Sequence, residues 1–174
     1  STSTRVKAIS CIGAGIRYHP ETIESLINAL TDEIPRMTDK SLIYSVLGLF
    51  ETAVKTSEVM ALLTLKGVYL FLDFSQNWVR VHTIKLVDKL IDLEPRLAKK
   101  VETKLYSFLV TTNAKSVECE LLKLAIHHFK YNDELFELVR GKTEVFLDSN
   151  DLNLNIIGFK TLRDILQAKP KLLQ

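Results

Sequence analysis

Four histidines are the side chains of this sequence most readily used for catalysis or metal binding: His19, His82, His127 and His128. His127 and His128 are adjacent in a segment with helical spacing, so their rings point about 100° apart. Two histidines that share one metal favour a spacing of four residues on a helix. His82 lies in a segment that alternates basic and apolar residues, which is typical of a surface position. The histidines therefore predict neither a metal site nor a catalytic site.

The other reactive side chains do not form a recognisable catalytic motif either. Glu118 and Glu120 are two residues apart, so on a helix they face different ways. The six glycines are scattered, and the sequence contains neither a phosphate-binding loop nor a nucleophile elbow. The only cysteines, Cys11 and Cys119, lack the spacing of a disulfide framework or a zinc site, which favours a reducing, intracellular compartment. We expect no enzyme, no cofactor and no bound metal.

One polar pattern could contact a partner. Arg96, Lys100 and Lys104 recur every four residues with Lys99 beside them, which gives a basic ridge along one side of a helix. Such a ridge is most simply a solvated helix face. The functional alternative is a contact for an acidic protein surface or for anionic lipid headgroups, where each basic group adds about 1 kcal/mol of attraction.

Length and charge exclude several classes of protein. A chain of 174 residues can bury one sizeable core, and its net charge of +2 is far from the basic excess of a dedicated nucleic-acid binder. The most apolar run, residues 59–72, is interrupted by Lys66 and is shorter than the ~20 residues that span a bilayer. The beginning of the sequence, STST, does not resemble a signal peptide. We expect a single structural unit that does not bind nucleic acid or span a membrane.

The helix boundaries are predicted from a repeat. Pro20, Pro95 and Pro170 are 75 residues apart, and the residues before and after Pro95 match those around Pro170. The matched residues are Lys85, Val87, Leu90, Ile91, Arg96 and Leu97 with Lys160, Leu162, Ile165, Leu166, Lys171 and Leu172. Weaker copies at half this interval (Tyr44, Leu47, Phe50 and Val54; Cys119, Leu122, Ala125 and Phe129) give a period of about 38 residues.

Apolar spacings of three and four within each repeat predict five first helices, near 5–18, 42–55, 79–92, 117–130 and 155–168. Second helices follow with stripes of their own: Ile23, Leu26, Ile27 and Leu30; Val59, Leu62, Leu63 and Leu70; Leu97, Val101, Leu105, Phe108 and Leu109; Leu135, Leu138 and Phe146. Pro95 then belongs to the first turn of a new helix, where its missing amide hydrogen costs nothing. Asn132 or Asp133, and Asp151, are expected to cap helices in the same way.

These observations predict an all-α fold of the HEAT or armadillo-like α-solenoid type, with about nine helices in antiparallel pairs. Residues 1–174 are expected to form one α-solenoid fragment, because helices that are apolar around more than half their circumference need cover on two sides. Gly13, Gly15 and Gly158 are expected at close helix contacts. The sequence stops soon after Pro170, so we expect a piece of a longer solenoid whose last helix exposes Phe159, Leu162 and Ile165.

Three segments resemble the trunk of the large adaptin chains of vesicle-coat adaptor complexes, and most closely the delta chain of the third complex. They are QNWVRVHTIKLVDKLIDLEPRLAKKV at 76–101, TTNAKSVECELL at 111–122 and DLNLNIIGFKTLRDILQAKPKLL at 151–173. The first is the most specific, with Asn77 and Trp78 followed by the order from Leu93 to Leu97. Coatomer gamma and the gamma or alpha adaptins are the alternatives within this group.

The resemblance implies a scaffold without catalysis. Delta-like adaptins assemble with a beta-type large chain, a medium mu chain and a small sigma chain, meet Arf-type GTPases, and sort cargo from Golgi or endosomes to the lysosome or vacuole. It implies a cytoplasmic protein that is peripheral on Golgi, endosomal or vesicle membranes. The alternative is a HEAT-repeat scaffold of the nuclear-transport or phosphatase-regulatory type, which binds soluble protein clients.

Overall fold

The computed structural model describes residues 1–16, 18 and 20–169. Pro170 and His19 lie outside the described residues. The described residues form ten α-helices and no strand. The helices are α1 (Thr2–Gly15), α2 (Pro20–Glu33), α3 (Lys40–Thr56), α4 (Glu58–Leu63), α5 (Leu65–Phe71), α6 (Asn77–Leu93), α7 (Arg96–Thr111), α8 (Lys115–His128), α9 (Asp133–Leu147) and α10 (Leu152–Ala168), with a 3-10 turn at Ile34–Arg36. Within this part of the chain, no helix combines the length and apolar character needed to cross a bilayer.

The chain divides into two compact units, Ser1–Pro95 and Arg96–Gln174. The boundary falls at the proline that the sequence marks as a helix junction. Helix α6 ends at Leu93, Glu94 leaves the helical conformation, and α7 begins at Arg96, so Pro95 immediately precedes the new helix. The predicted junction is confirmed, but Pro95 precedes the first turn of the new helix and is not part of it. The prediction that residues 1–174 form a single solenoid stays a prediction.

Each unit is built from packed helix pairs. In the first unit, α3 packs against α1, α4 and α6. Helix α6 also packs against α4 and α5, and α2 packs against α4 and α5. In the second unit, α8 packs against α7, α9 and α10, while α9 also packs against α10. The connections are short, as in residues 129–132 between α8 and α9. The all-α fold of paired helices is therefore confirmed.

The five predicted first helices are α1, α3, α6, α8 and α10, each beginning two or three residues earlier than expected. Side-chain caps start three helices at junctions that lack a proline. Ser57 accepts a hydrogen bond from the Met60 amide, Asn132 from the Leu135 amide, and Asp151 from the Asn153 amide. The capping predicted for Asn132 and Asp151 is confirmed. These side chains satisfy amides that the first helical turn leaves unpaired.

The expected second helix of the second repeat is broken into α4 and α5, which is why ten helices form instead of nine. At the break, the buried hydroxyl of Thr64 donates a hydrogen bond to the Ala61 carbonyl at 2.7 Å. The stripe predicted for this helix is partly wrong, because Val59 and Leu62 are exposed. The side chains that fill the core from this segment are instead those of Met60, Ala61, Val68 and Phe71.

Three further predictions about faces and contacts need correction. Tyr44, assigned to a buried stripe, is 62% exposed. Ile165, expected on the uncovered face of the last helix, is buried on the side that packs against α8 and α9, although Phe159 is exposed as predicted. Gly13 and Gly15 make no close helix contact, because a side-chain carbon would have ordinary room at the first position and open space at the second.

Gly158 does lie at a close contact, as predicted. A methyl group there would come within 3.0 Å of the Leu147 backbone nitrogen. Three residues earlier, the Asn155 side-chain amide donates to the carbonyls of Phe146, Leu147 and Ser149 at 2.7–3.1 Å. Asn155 thus binds the carbonyl end of α9, which lacks helical partners of its own. Together these two residues of α10 fix the corner between α9 and α10.

Candidate interaction surfaces

The carboxylates singled out in the sequence each bind lysines. Glu118 on α8 is 1% exposed, and its two oxygens accept hydrogen bonds from Lys115 at 2.7 Å and Lys142 at 2.9 Å. Burial opposes ionisation of this carboxyl, but the two lysine hydrogen bonds outweigh it, so the pKa of Glu118 lies below its usual value. Glu120 binds Lys123 instead, at 3.0 Å. Glu118 therefore joins α8 to α9 by a buried ion pair.

Two of the described histidines, His127 and His128, are neighbours at the end of α8. The rings of His127 and His128 are 6.1 Å apart and nearly perpendicular. His82 lies on α6, half-buried, with its ring edge-on to Tyr44 of α3 at 6.3 Å. The prediction of a plain surface position for His82 is incomplete, because this ring belongs to an aromatic cluster.

The predicted basic ridge occupies the first half of α7. Three of its basic residues are exposed (Arg96, Lys99 and Lys100), and Lys104 is half-buried. The only acidic side chain of α7, Glu102, accepts a hydrogen bond from Asn132 at 2.6 Å. Arg96 and Lys104 already take part in interactions of their own. The ridge is therefore an exposed basic surface in which Lys99 and Lys100 are the most accessible pair of neighbouring charges.

A second surface, which was not predicted from the sequence, lies in the first unit. The exposed ring of Tyr44 stands beside the half-buried ring of Trp78 at a centroid distance of 6.4 Å. These two rings help to line an open groove of about 370 Å³, which we call the aromatic groove. Its walls are Val6 of α1, Lys40, Ser41, Tyr44 and Ser45 of α3, and Trp78 of α6.

A smaller hollow of about 180 Å³ adjoins the aromatic groove, because the His82 ring that contacts Tyr44 also lines this hollow. Its other walls are Leu47, Glu51, Lys85, Leu86, Asp88 and Lys89. Glu51 accepts a 2.7 Å hydrogen bond from Lys55, and this bond, despite partial burial, holds the pKa of Glu51 below its usual value. The two cavities thus follow the seam between α3 and α6.

A pattern in the sequence of α3 could have indicated that Tyr44 is exposed. Ser41, Tyr44 and Gly48 fall at successive spacings of three and four residues, so the tyrosine shares a helix face with two small residues. Small residues on both sides leave a large ring standing above the surface. The partner ring, Trp78, has no such signal, since it comes from a different helix.

Comparison with known proteins finds AP-3 delta subunits among the relatives of this chain. The chain is 27% identical over 147 residues, 84% of its length, to the AP-3 complex subunit delta of Arabidopsis thaliana. It is 30% identical over 58% of its length to AP-3 complex subunit delta-1 of Bos taurus, and 30% identical over 60% to AP-3 complex subunit delta of Schizosaccharomyces pombe. The chain is thus similar to a segment of AP-3 delta subunits. This finding confirms the resemblance inferred from the sequence.

The chain spans only a small part of the length of these relatives. The matched stretch is 17% of the Arabidopsis subunit, 9% of the bovine subunit and 13% of the fission yeast subunit. No protein-family model matches the chain, and no solved structure does so. The relatives are by name subunits of a complex.

Proposed function

We propose that this chain is a scaffold segment of the large subunit of a vesicle-coat adaptor complex. It acts without catalysis and binds sister subunits, namely a beta-type large chain, a mu chain and a sigma chain. The complex sorts membrane cargo from Golgi or endosomes to the lysosome or vacuole. The observation that carries this proposal is the similarity to AP-3 delta subunits from a plant, an animal and a fungus. The packed helix pairs support it, since such layers present broad docking surfaces.

The same proposal includes the location and the membrane contact. The protein is cytoplasmic and associates with Golgi, endosomal or vesicle membranes as a peripheral component, through the assembled complex and, as a further partner, an Arf-type GTPase. The basic ridge of Arg96, Lys99, Lys100 and Lys104 is the proposed contact for an acidic surface of a sister subunit or for anionic headgroups. Its exposed position on α7 supports this role.

Co-purification tests the scaffold proposal. The tagged chain, expressed in its native cells, is expected to recover beta, mu and sigma adaptins in a salt-resistant complex. Recovery of a karyopherin-type GTPase or a phosphatase catalytic subunit would instead support a HEAT-repeat scaffold of another class. Recovery of none of these proteins would also count against the adaptor assignment.

A charge-reversal pair tests the ridge. The double variant Lys99→Glu/Lys100→Glu is expected to weaken binding to sister subunits or to vesicles containing phosphatidylserine. The control variant Lys7→Glu/Lys160→Glu makes the same change in net charge at exposed positions outside the ridge. If both variants bind like the wild type in both assays, the ridge is only a solvated helix face.

A further inference from the structure

We propose that the chain forms a weak dimer in which the exposed face of α10 packs antiparallel against the same face of a second copy. The centre of this face consists of three exposed apolar side chains, Leu152 at 71%, Ile156 at 44% and Phe159 at 64%, which we call the α10 stripe. The inference stands apart from the proposed function, because it requires only a second copy of the chain. It rests on the spacing of the stripe, the order of the charges beside it and its area.

The α10 stripe is one continuous helix face. Its members follow each other at spacings of four and three residues, which place their side chains on the same side of a helix. The opposite side of α10 carries the buried residues Gly158, Thr161 and Ile165, and α10 packs against α8 and α9. Because the stripe lies away from these buried residues, α8 and α9 leave it exposed.

The charges beside the stripe are ordered along the helix. Two exposed carboxylates, Asp148 and Asp151, precede α10, and two exposed cations, Lys160 and Arg163, lie in its second half. Since two negative and two positive charges cancel, this face has no net attraction for an anionic membrane. It is complementary instead to a helix that carries the same charges in the reverse order. A second copy of α10 that runs in the opposite direction is such a helix.

The apolar side chains match in this antiparallel arrangement. With a rise of 1.5 Å per residue, Leu152 and Phe159 are about 10.5 Å apart along the helix axis, and Ile156 lies close to their midpoint. When the midpoints of two copies coincide, Leu152 of each copy lies opposite Phe159 of the other. The two Ile156 side chains then lie near the two-fold axis. Such a contact is isologous, so every pairing in it occurs twice.

The charged side chains match in the same register. Asp151 and Lys160 are each 4.5 residues from the midpoint of the stripe, and Asp148 and Arg163 are each 7.5 residues from it. The carboxylates of one copy therefore lie at the same height as the cations of the other. Arg163 already binds Asp164 of its own chain at 2.8 Å, but this ion pair is exposed, so its guanidinium can also contact a second carboxylate.

The area of the face fits a weak dimer. The exposed parts of the three stripe side chains amount to on the order of 350 Å² per copy, since a large side chain buries about 150–250 Å² in full. With the flanking charged side chains, the two copies would bury on the order of 1,000 Å², which is near the lower limit for a specific interface. We therefore expect a reversible dimer with a dissociation constant in the micromolar range.

Sedimentation velocity of the full chain over a range of concentrations tests the dimer. The mean mass is expected to rise from that of a monomer to that of a dimer as the concentration increases. Phe159→Ala should raise the dissociation constant about tenfold or more, because it removes the largest side chain of the contact. The matched control Tyr131→Ala removes a ring that is 86% exposed elsewhere in the second unit, and it should dimerise like the wild type. Circular dichroism should show wild-type helix content for both variants, since both side chains are exposed.

A mixing experiment tests the antiparallel register. Asp148→Lys and Arg163→Glu each place like charges opposite one another in a dimer of identical copies, so each variant alone should dimerise more weakly. In an equimolar mixture, both charged contacts of the mixed dimer join opposite charges, so association should recover. The proposal is overturned if the wild type stays monomeric, if Phe159→Ala dimerises as the wild type does, or if the mixture associates no better than either variant alone. Growth beyond a dimer also overturns it, because an isologous contact closes at two copies.

Discussion

Replacing Gly67 with alanine should destabilise the first unit. Gly67 lies on α5, and a methyl group at this position would come within 2.5 and 2.6 Å of two carbons of the Phe50 ring and 3.0 Å of the Thr31 hydroxyl. Phe50 is completely buried, and its ring meets the buried ring of Phe71 at 6.0 Å. The ring therefore has little room to move away from an added methyl group.

Two opposing terms set the size of the effect. Carbon atoms in good contact are about 3.5–4.0 Å apart, so the added methyl group would be about 1 Å too close to Phe50. Overpacking of this kind typically costs about 1–3 kcal/mol. Alanine gains about 0.5–1 kcal/mol over glycine inside a helix. Because the Phe50 ring is fully buried, we expect the cost of overpacking to exceed the gain in helix propensity. The net result is a loss of about 1–2 kcal/mol in the free energy of unfolding.

Urea denaturation followed by circular dichroism measures this difference, and Gly48→Ala is the matched control. Gly48 is exposed on α3, with nothing within 4 Å of the added carbon, so this variant should gain about 0.5–1 kcal/mol. A Gly67→Ala protein as stable as the wild type would refute the reasoning. In a Phe50→Leu background the same substitution should cost less, and a coupling energy near zero would show that the clash is elsewhere.

Three further predictions concern the second unit. Glu118→Gln should destabilise it by about 1–3 kcal/mol, because Lys115 and Lys142 lose a buried counter-charge, whereas Glu120→Gln should change the unfolding free energy by about 1 kcal/mol or less in the same urea titration. Because the pKa of Glu118 is lower in the folded state, its contribution to stability is present above the unfolded pKa of about 4.3 and is lost as pH falls through the folded pKa. At pH values below about 4.3, the free energy of unfolding should therefore decrease more steeply for the wild type than for Glu118→Gln. Equal slopes for the two proteins would contradict this. Asn155→Ala should cost about 1–3 kcal/mol by leaving α9 carbonyls unpaired; an equal loss in the control Asn153→Ala would refute the capping role.

The positions of the helices could be read from the sequence because few physical rules decide them. A proline cannot continue a helix, so Pro95 marks a junction whatever surrounds it. Apolar residues at spacings of three and four must share a face, which places α3, α6, α8 and α10 within a few residues. The break at Thr64 could not be read in this way. At this break the buried hydroxyl of Thr64 is bonded to the Ala61 carbonyl, and Gly67 lies close to the Phe50 ring. The contact between Gly67 and Phe50 belongs to the tertiary packing and has no local sequence pattern.

The faces of the helices were harder to predict than their bounds. Helices such as α3 and α8 pack against several neighbouring helices, so the apolar stripe of each is wide. The sequence does not show at which residue such a stripe ends. Tyr44 stands at that edge, and periodicity alone assigns it to the core. The buried Glu118 illustrates a second limit. Lys115 is close in sequence, but its other partner, Lys142, comes from the next helix and cannot be anticipated from local spacing.

The chemistry of the two best-defined sites favours binding over catalysis. A general base needs a free acceptor and a pKa near the working pH. Glu118 has neither, because Lys115 occupies one of its oxygens, Lys142 occupies the other, and its pKa is lowered. The aromatic groove is lined by Val6, Tyr44 and Trp78 together with the hydroxyls of Ser41 and Ser45 and the ammonium group of Lys40. Glu118 is thus suited to joining α8 to α9.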